Sequence, residues 1–197
     1  MLRTMIKNRT DYKKYLNVEC LVYNCLRGRG KEWLFPTPTR VFLKALRRVE
    51  YHYNSKGLWH KLMFLLAYRK YHRISLQTGI HIPKNTCEEG LTLYHFGSIV
   101  VNAACRIGRN CCIMNNVNIG ANGGSNKAPQ IGNNVYIGPG AVIYGDIEIA
   151  DGCYIGANAV VNKSFKEPNS VIAGVPAKVI KTDSVNWWQK NRMKRRV

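Results

Sequence analysis

Among the side chains of this 197-residue chain that could move a proton or hold an anion, outside its basic ends, are His81, His95, Asn115, Asn116, Lys163, Lys178 and Lys181. Imidazole, with an ordinary pKa near 6.5, takes up and releases a proton around neutrality without being permanently charged. Lysine offers a flexible point charge suited to phosphate, although each of these lysines taken singly reads equally well as solvated surface. Asn115 and Asn116 have the side chains of turn residues. The cysteines at 20, 25, 87, 105, 111, 112 and 153 show no metal-ligand spacing, so reduced thiols in a cytoplasmic protein and no bound metal are expected.

What must position these groups is a repeat. An aliphatic residue recurs at every sixth place: Val101, Ile107, Ile113, Ile119, Ile131, Ile137, Ile143, Ile149, Ile155 and Val161. The slot at Ser125 is missed, inside the Gly/Asn/Ser-rich run 121–130, which predicts a protruding loop. Period six fits neither a helix nor a strand alternating in and out. It fits a chain that makes one short strand and one turn every six residues, stacking coil on coil as a parallel β-helix. Gly and Asn fall where such turns need backbone conformations that a β-carbon disfavours. Counting back in sixes from Val101 puts His95 in an inward slot, where it would be a core histidine. The alternation of Leu91, Leu93 and Ile99 already disturbs that register.

The formal charge of +19 is uneven. Residues 1–78 carry 17 Lys/Arg against 4 Asp/Glu, residues 79–181 carry 8 against 6, and residues 182–197 carry 5 against 1. Three units follow: a basic helical N-terminal region (1–78), a nearly neutral β-helix (79–181) and a basic tail (182–197). Helices are predicted over 10–27, 39–54 and 58–74. The second has an apolar stripe at 42, 43, 46, 49 and 53 and a basic opposite face. These helices would pack on the β-helix or on a neighbouring subunit, or present a surface to anionic lipid or glycan. The tail WWQKNRMKRRV is expected to be a disordered basic end or a short membrane-surface anchor. No apolar run long enough to span a membrane and no secretory signal is visible. Nucleic-acid binding is not expected, since the charge comes without a reader motif.

The segments GLTLYHFGSIVVN, RIGRNCCIMNNVNIGANGG, IGNNVYIGPGAVIYGDIEIADGCYIGANAVVNKS and SVIAGVPAKVIK together resemble the hexapeptide-repeat acyltransferases. More narrowly they are similar to the branch holding serine acetyltransferases and capsular or exopolysaccharide O-acetyltransferases. The resemblance implies a left-handed parallel β-helix, a homotrimer with active sites between subunits, and direct acetyl transfer from acetyl-CoA to a hydroxyl. It matches His95 to the family's histidine, the general base that takes the hydroxyl proton, with Gly97 slightly displaced from the pattern's glycine. For acetyl-CoA it implies Gly120 and Ala121 along the pantetheine channel, Pro139 and Ala157 stacked on one edge, and Asn162, Lys163, Lys178 and Lys181 toward the pantetheine arm and phosphates. Tyr94, Asn115 and Asn116 would lie beside the acceptor.

Several positions depart from the serine-specific pattern. The aspartate that orients the histidine in serine acetyltransferases falls here on Ile80 or its neighbours, none acidic, leaving His81, Glu88, Glu89 or a backbone carbonyl to hold the ring. The acidic residue before the histidine is Tyr94, and an Arg-His pair is replaced by Lys127-Ala128. The expected acceptor is therefore a saccharide hydroxyl, as in capsular or exopolysaccharide biosynthesis. Serine is the alternative, and a non-catalytic β-helix scaffold a second one, which a buried His95 would indicate. A three-histidine zinc enzyme is disfavoured, since the repeat holds only His81 and His95. The basic helices would suit peripheral association with an anionic membrane at its inner face.

Overall fold

The structure is a computed structural model that describes residues 5–27, 34–185, 188 and 190, with side chains left undescribed over 21–27. Residues 28–33 of the loop expected over 28–39, the Cys25 side chain and most of the 182–197 tail lie outside the described residues. Three long helices lead the described residues: α1 (Arg9–Arg27), α2 (Pro38–Asn54) and α3 (Leu58–Thr78). Pro38 opens α2, where its fixed φ and missing N–H cost nothing. Gly79 ends α3 in the left-handed region at φ 70°.

From Ile80 the chain winds through three parallel faces in turn. One face carries β1 (Ile80–His81), β3 (Ile99–Val101), β6 (Val117–Gly120), β9 (Val142–Tyr144) and β12 (Val160–Val161). The second carries β4 (Arg106–Ile107), β7 (Gln130–Ile131) and β10 (Glu148–Ile149). The third carries β2 (Thr92–Leu93), β5 (Cys112–Ile113), β8 (Tyr136–Ile137) and β11 (Tyr154–Ile155). It is closed by β13 (Val171–Gly174) and by β14 (Ala177–Lys181), which turns back antiparallel on β13. This is a parallel β-helix, and every aliphatic residue of the six-residue repeat is buried in its axis. One corner is turned by Gly90, Asn110, Asn134, Gly152 and Asn169, another by Asn116, Gly140 and Asn158, all at positive φ. Asparagine and glycine tolerate this conformation where other residues are strained.

Register locates two insertions. Gly120 pairs with Tyr144 and Gln130 with Glu148, so nine intervening residues on one coil oppose three on the next. The surplus is the loop around Ser125. Leu93 pairs with Ile113 while Ile99 pairs with Val117, so five intervening residues oppose three. That two-residue enlargement falls on the corner containing His95.

The helices grip the first coil through its backbone. Buried Arg47 of α2 donates to Glu19 and Glu50 and also to the carbonyls of Cys87 and Glu88. Burial alone would pull its pKa down, but Glu19 and Glu50 hold the guanidinium charged. From α3, the Tyr71 and Ser75 hydroxyls donate to Ile82 O and Ile80 O. Arg47 therefore departs from the basic outer face expected for this helix: it is the ion-paired bolt between helices and coil.

Candidate active site

The corner between β2 and β3 is held on its inner side by the helices. Gly97 N–H donates to Thr78 O at 2.9 Å and Ile99 N–H to Gly79 O at 3.1 Å. Gly79 and Gly97 approach so closely that a β-carbon on Gly79 would stand 3.2 Å from Gly97 C. On the outer side His95 and Phe96 project into solvent. The inward slot that counting in sixes assigned to His95 is filled by Leu93, which is fully buried; the two extra residues throw His95 outward. His95 is exposed, whereas burial with no channel beside it would have indicated a non-catalytic scaffold.

Among the described residues no group hydrogen-bonds the His95 ring. Glu88 and Glu89, considered as its orienting partners, do not serve. Glu88 lies 3.8 Å from Arg109 and Glu89 pairs with Lys14 at 2.9 Å. Both belong to the opposite corner of the third face, beside Gly90 and Asn110. His81 points outward from β1, in register with Val100.

Below His95 runs a line of small residues. A β-carbon placed on Gly97 would meet only Asn115 Cβ, at 3.7 Å. Asn115 O accepts from Gly140 N, and Pro139 O accepts from Asn158 N, so Asn115, Pro139 and Ala157 stack coil upon coil. Register continues the line to Gly174 and Ala177, with Lys178 opposite Ala173. Five strand spacings separate its ends, roughly 24 Å at about 4.8 Å each. Asn116, at φ 58°, is a corner residue with its backbone committed to the turn.

The other residues expected at acetyl-CoA fall on the far edge of the first face. Gly120 lies in register with Tyr144, and Asn162 reaches the Tyr144 hydroxyl at 3.5 Å. Ala121 is half-buried against the core, and the Lys163 ammonium lies over the Phe165 ring at 5.6 Å. Lys181, opposite Val171, sits at the other end of the closing hairpin from Lys178. Within one chain the predicted residues thus form two groups flanking the outward column Val100, Asn118, Val142 and Val160. Neither group touches the cavity of about 680 Å³ on the second face, whose walls include Glu50, Arg106, Gln130 and Lys166. Among the described residues no three of His, Cys, Asp and Glu converge to hold a metal. Burial pushes the Cys87 thiol up to about 12 and Cys105 to about 11, which leaves both as core side chains.

Residues 128–163 match the family described as bacterial transferase hexapeptide (six repeats). This stretch is a bacterial-transferase hexapeptide repeat. The serine acetyltransferase of Buchnera aphidicola subsp. Schizaphis graminum is 32% identical over an aligned length of 169 residues that covers 82% of this chain and 63% of that protein. The chain therefore spans 63% of that curated relative's length. A serine acetyltransferase from Brucella abortus strain S19, solved in complex with coenzyme A, superposes with a TM-score of 0.72 at 27% identity, covering 90% of this chain and 71% of the other. A soybean serine acetyltransferase complexed with serine gives 0.70 at 26%, covering 87% and 70%.

These relatives overturn the saccharide acceptor expected from the sequence, because they are named for serine. The expectation rested on side chains missing around Tyr94 and Lys127-Ala128. Of those positions, Lys127 is bound to Asp146 at 2.7 Å and Ala128 is buried.

Proposed function

We propose that the protein is an acetyl-CoA-dependent serine O-acetyltransferase with His95 as general base. The observation that carries the reading is the enlarged corner, which takes His95 out of the core and sets it at the head of the small-residue line through Asn115, Pro139 and Ala157. The relatives and solved structures supply the acceptor. In the proposed step a ring nitrogen of His95 takes the serine hydroxyl proton as the oxygen attacks the thioester carbonyl. Backbone N–H groups facing the site stabilise the tetrahedral oxyanion. The C–S bond then breaks, and the imidazolium returns its proton to the departing CoA thiolate. Transfer is direct, with no acyl-enzyme.

In this reading the coil is left-handed and three copies assemble. The far-edge group of one copy (Gly120, Ala121, Asn162, Lys163) then faces the His95 edge of the next, and the carrier arm lies between them. A trimer also accounts for a histidine whose ring no described residue of its own chain hydrogen-bonds, since acceptor or neighbour would orient it. Tyr94 and Asn115 border the acceptor, while Lys178 and Lys181 take the phosphates. The compartment proposed is the cytoplasm, at the inner face of the membrane. There the outward side of α3 would meet anionic lipid: Leu58, Trp59, Leu62, Leu65 and Leu66 are exposed on one arc that continues into Arg69 and Arg73. That helix has no acidic residue, and none of its length is apolar enough to cross a bilayer.

The test is release of free CoA thiol from acetyl-CoA with serine and, separately, a panel of sugars, for wild type and His95→Ala. Turnover on serine that drops by two to four orders of magnitude in the variant is expected, the usual weight of a general base. Unchanged turnover in the variant would remove His95 from the mechanism, and turnover on a sugar alone would remove serine.

A further inference from the structure

The corner that carries His95 has two residues more than its neighbours, so something outside the repeat must hold it in one shape. Its inner side is held by the end of α3. Its outer side meets a residue that lies beyond the coil. Trp188 is fully buried although it belongs to the basic C-terminal tail. Its indole spans the outside of the third face. Nε1 donates to Asn110 O at 2.9 Å at one corner, and the ring packs on Cys112 and Tyr136. At the other corner it meets Tyr94 edge-on, with centroids 5.9 Å apart and planes at 73°. Tyr94 is bonded to His95, and their rings lie 6.5 Å apart. Four residues earlier, Ser184 N–H donates to Asn169 O at 2.9 Å. Neither a disordered end nor a membrane anchor describes this residue.

We infer that Trp188 is a positioning residue for His95: by clamping Tyr94 against the third face it fixes the enlarged corner and hence where the imidazole points. The inference rests on His95 being the general base. It touches no substrate and supplies no charge to the reaction. Its effect is geometric, and small displacements of a catalytic group are enough to lose rate without losing binding.

Trp188→Ala and Trp188→Phe in the full chain test it, with three readouts: melting temperature, steady-state kinetics with serine and acetyl-CoA, and amide hydrogen exchange. The alanine variant is expected to lower kcat by about tenfold while KM for acetyl-CoA stays within about twofold, because the carrier arm is held elsewhere. Exchange should quicken across 94–98 and stay slow across 136–161. Phenylalanine keeps the ring against Tyr94 and loses only the N–H, so it should recover most of kcat; it also remains informative if the alanine variant fails to fold. Faster exchange at the corner with unchanged kcat would make Trp188 merely structural and overturn the inference. So would unchanged exchange at the corner. Wild-type protein that acetylates no serine would overturn the proposed function instead, and corner exchange alone would then show whether the clamp exists.

Discussion

Glycines in this coil divide by what a β-carbon would meet. At Gly108, Gly132 and Gly138 it would press on backbone of the next coil at 2.7 to 2.8 Å, so stacking itself demands glycine there. At Gly120 it would meet only Asn118 Oδ1, at 3.5 Å, and φ is not in the left-handed region. Among the described residues nothing asks for glycine at 120, which fits a surface that another molecule must approach closely. Gly120→Val, with its side chain directed outward from a strand that favours β-branching, should fold as wild type does. KM for acetyl-CoA should rise about tenfold, a loss of about 1.4 kcal/mol. Steady-state kinetics beside a melting curve would check this, and an unchanged KM would take Gly120 out of the channel. His95 shows how far single residues were legible. The motif marks it as the base proposed above, but its exposure did not follow from the motif. Two extra residues within a corner leave the apparent six-residue count intact from His95 to Val101, so phase alone placed it in the core.

At the scale of elements, the repeat was the most legible feature. Each aliphatic slot has to lie on the axis for a coil to bury anything, so the spacing dictates the packing. The helices were legible as helices and misleading as surfaces. A cation on the polar-looking side of α2 reads as solvated, yet Arg47 lies inside because the first coil offers it two carbonyls and the helices two carboxylates. Only tertiary structure brings Glu19, 28 residues away, to it. Arg47→Met should therefore destabilise the protein by about 3–5 kcal/mol, since it leaves buried carboxylates without their counter-charge. Chemical denaturation would measure it, and a loss below about 1 kcal/mol would mean that the pairing contributes little beyond its desolvation cost.

For the whole molecule the charge map acquires a geometry. The neutral coil carries the candidate site, and among the described residues the basic helices present an exposed face in which α3 sets leucines and Trp59 ahead of Arg69 and Arg73. Full-length protein should co-sediment with vesicles containing phosphatidylglycerol and not with pure phosphatidylcholine. Replacing Lys61, Arg69 and Arg73 by glutamine should cut that binding by at least tenfold, at about 1 kcal/mol per cation. No binding to the anionic vesicles would sink the membrane reading. If Leu62→Glu then lowered the oligomeric mass, the face would instead belong between copies.

The first coil ends in a row of carbonyls, at Ile80, Ile82, Cys87 and Glu88, and each accepts from Ser75, Tyr71 or Arg47 of the helices. At the other end β14 runs antiparallel across β13. A parallel coil has no intrinsic length: any exposed rung is a template on which the next could be laid, from the same chain or from another. Side-chain hydroxyls and a guanidinium end the ladder at one side, and a reversal of chain direction ends it at the other. The same helices that hold the His95 corner thus make a finite molecule out of a fold that could otherwise grow as a fibre.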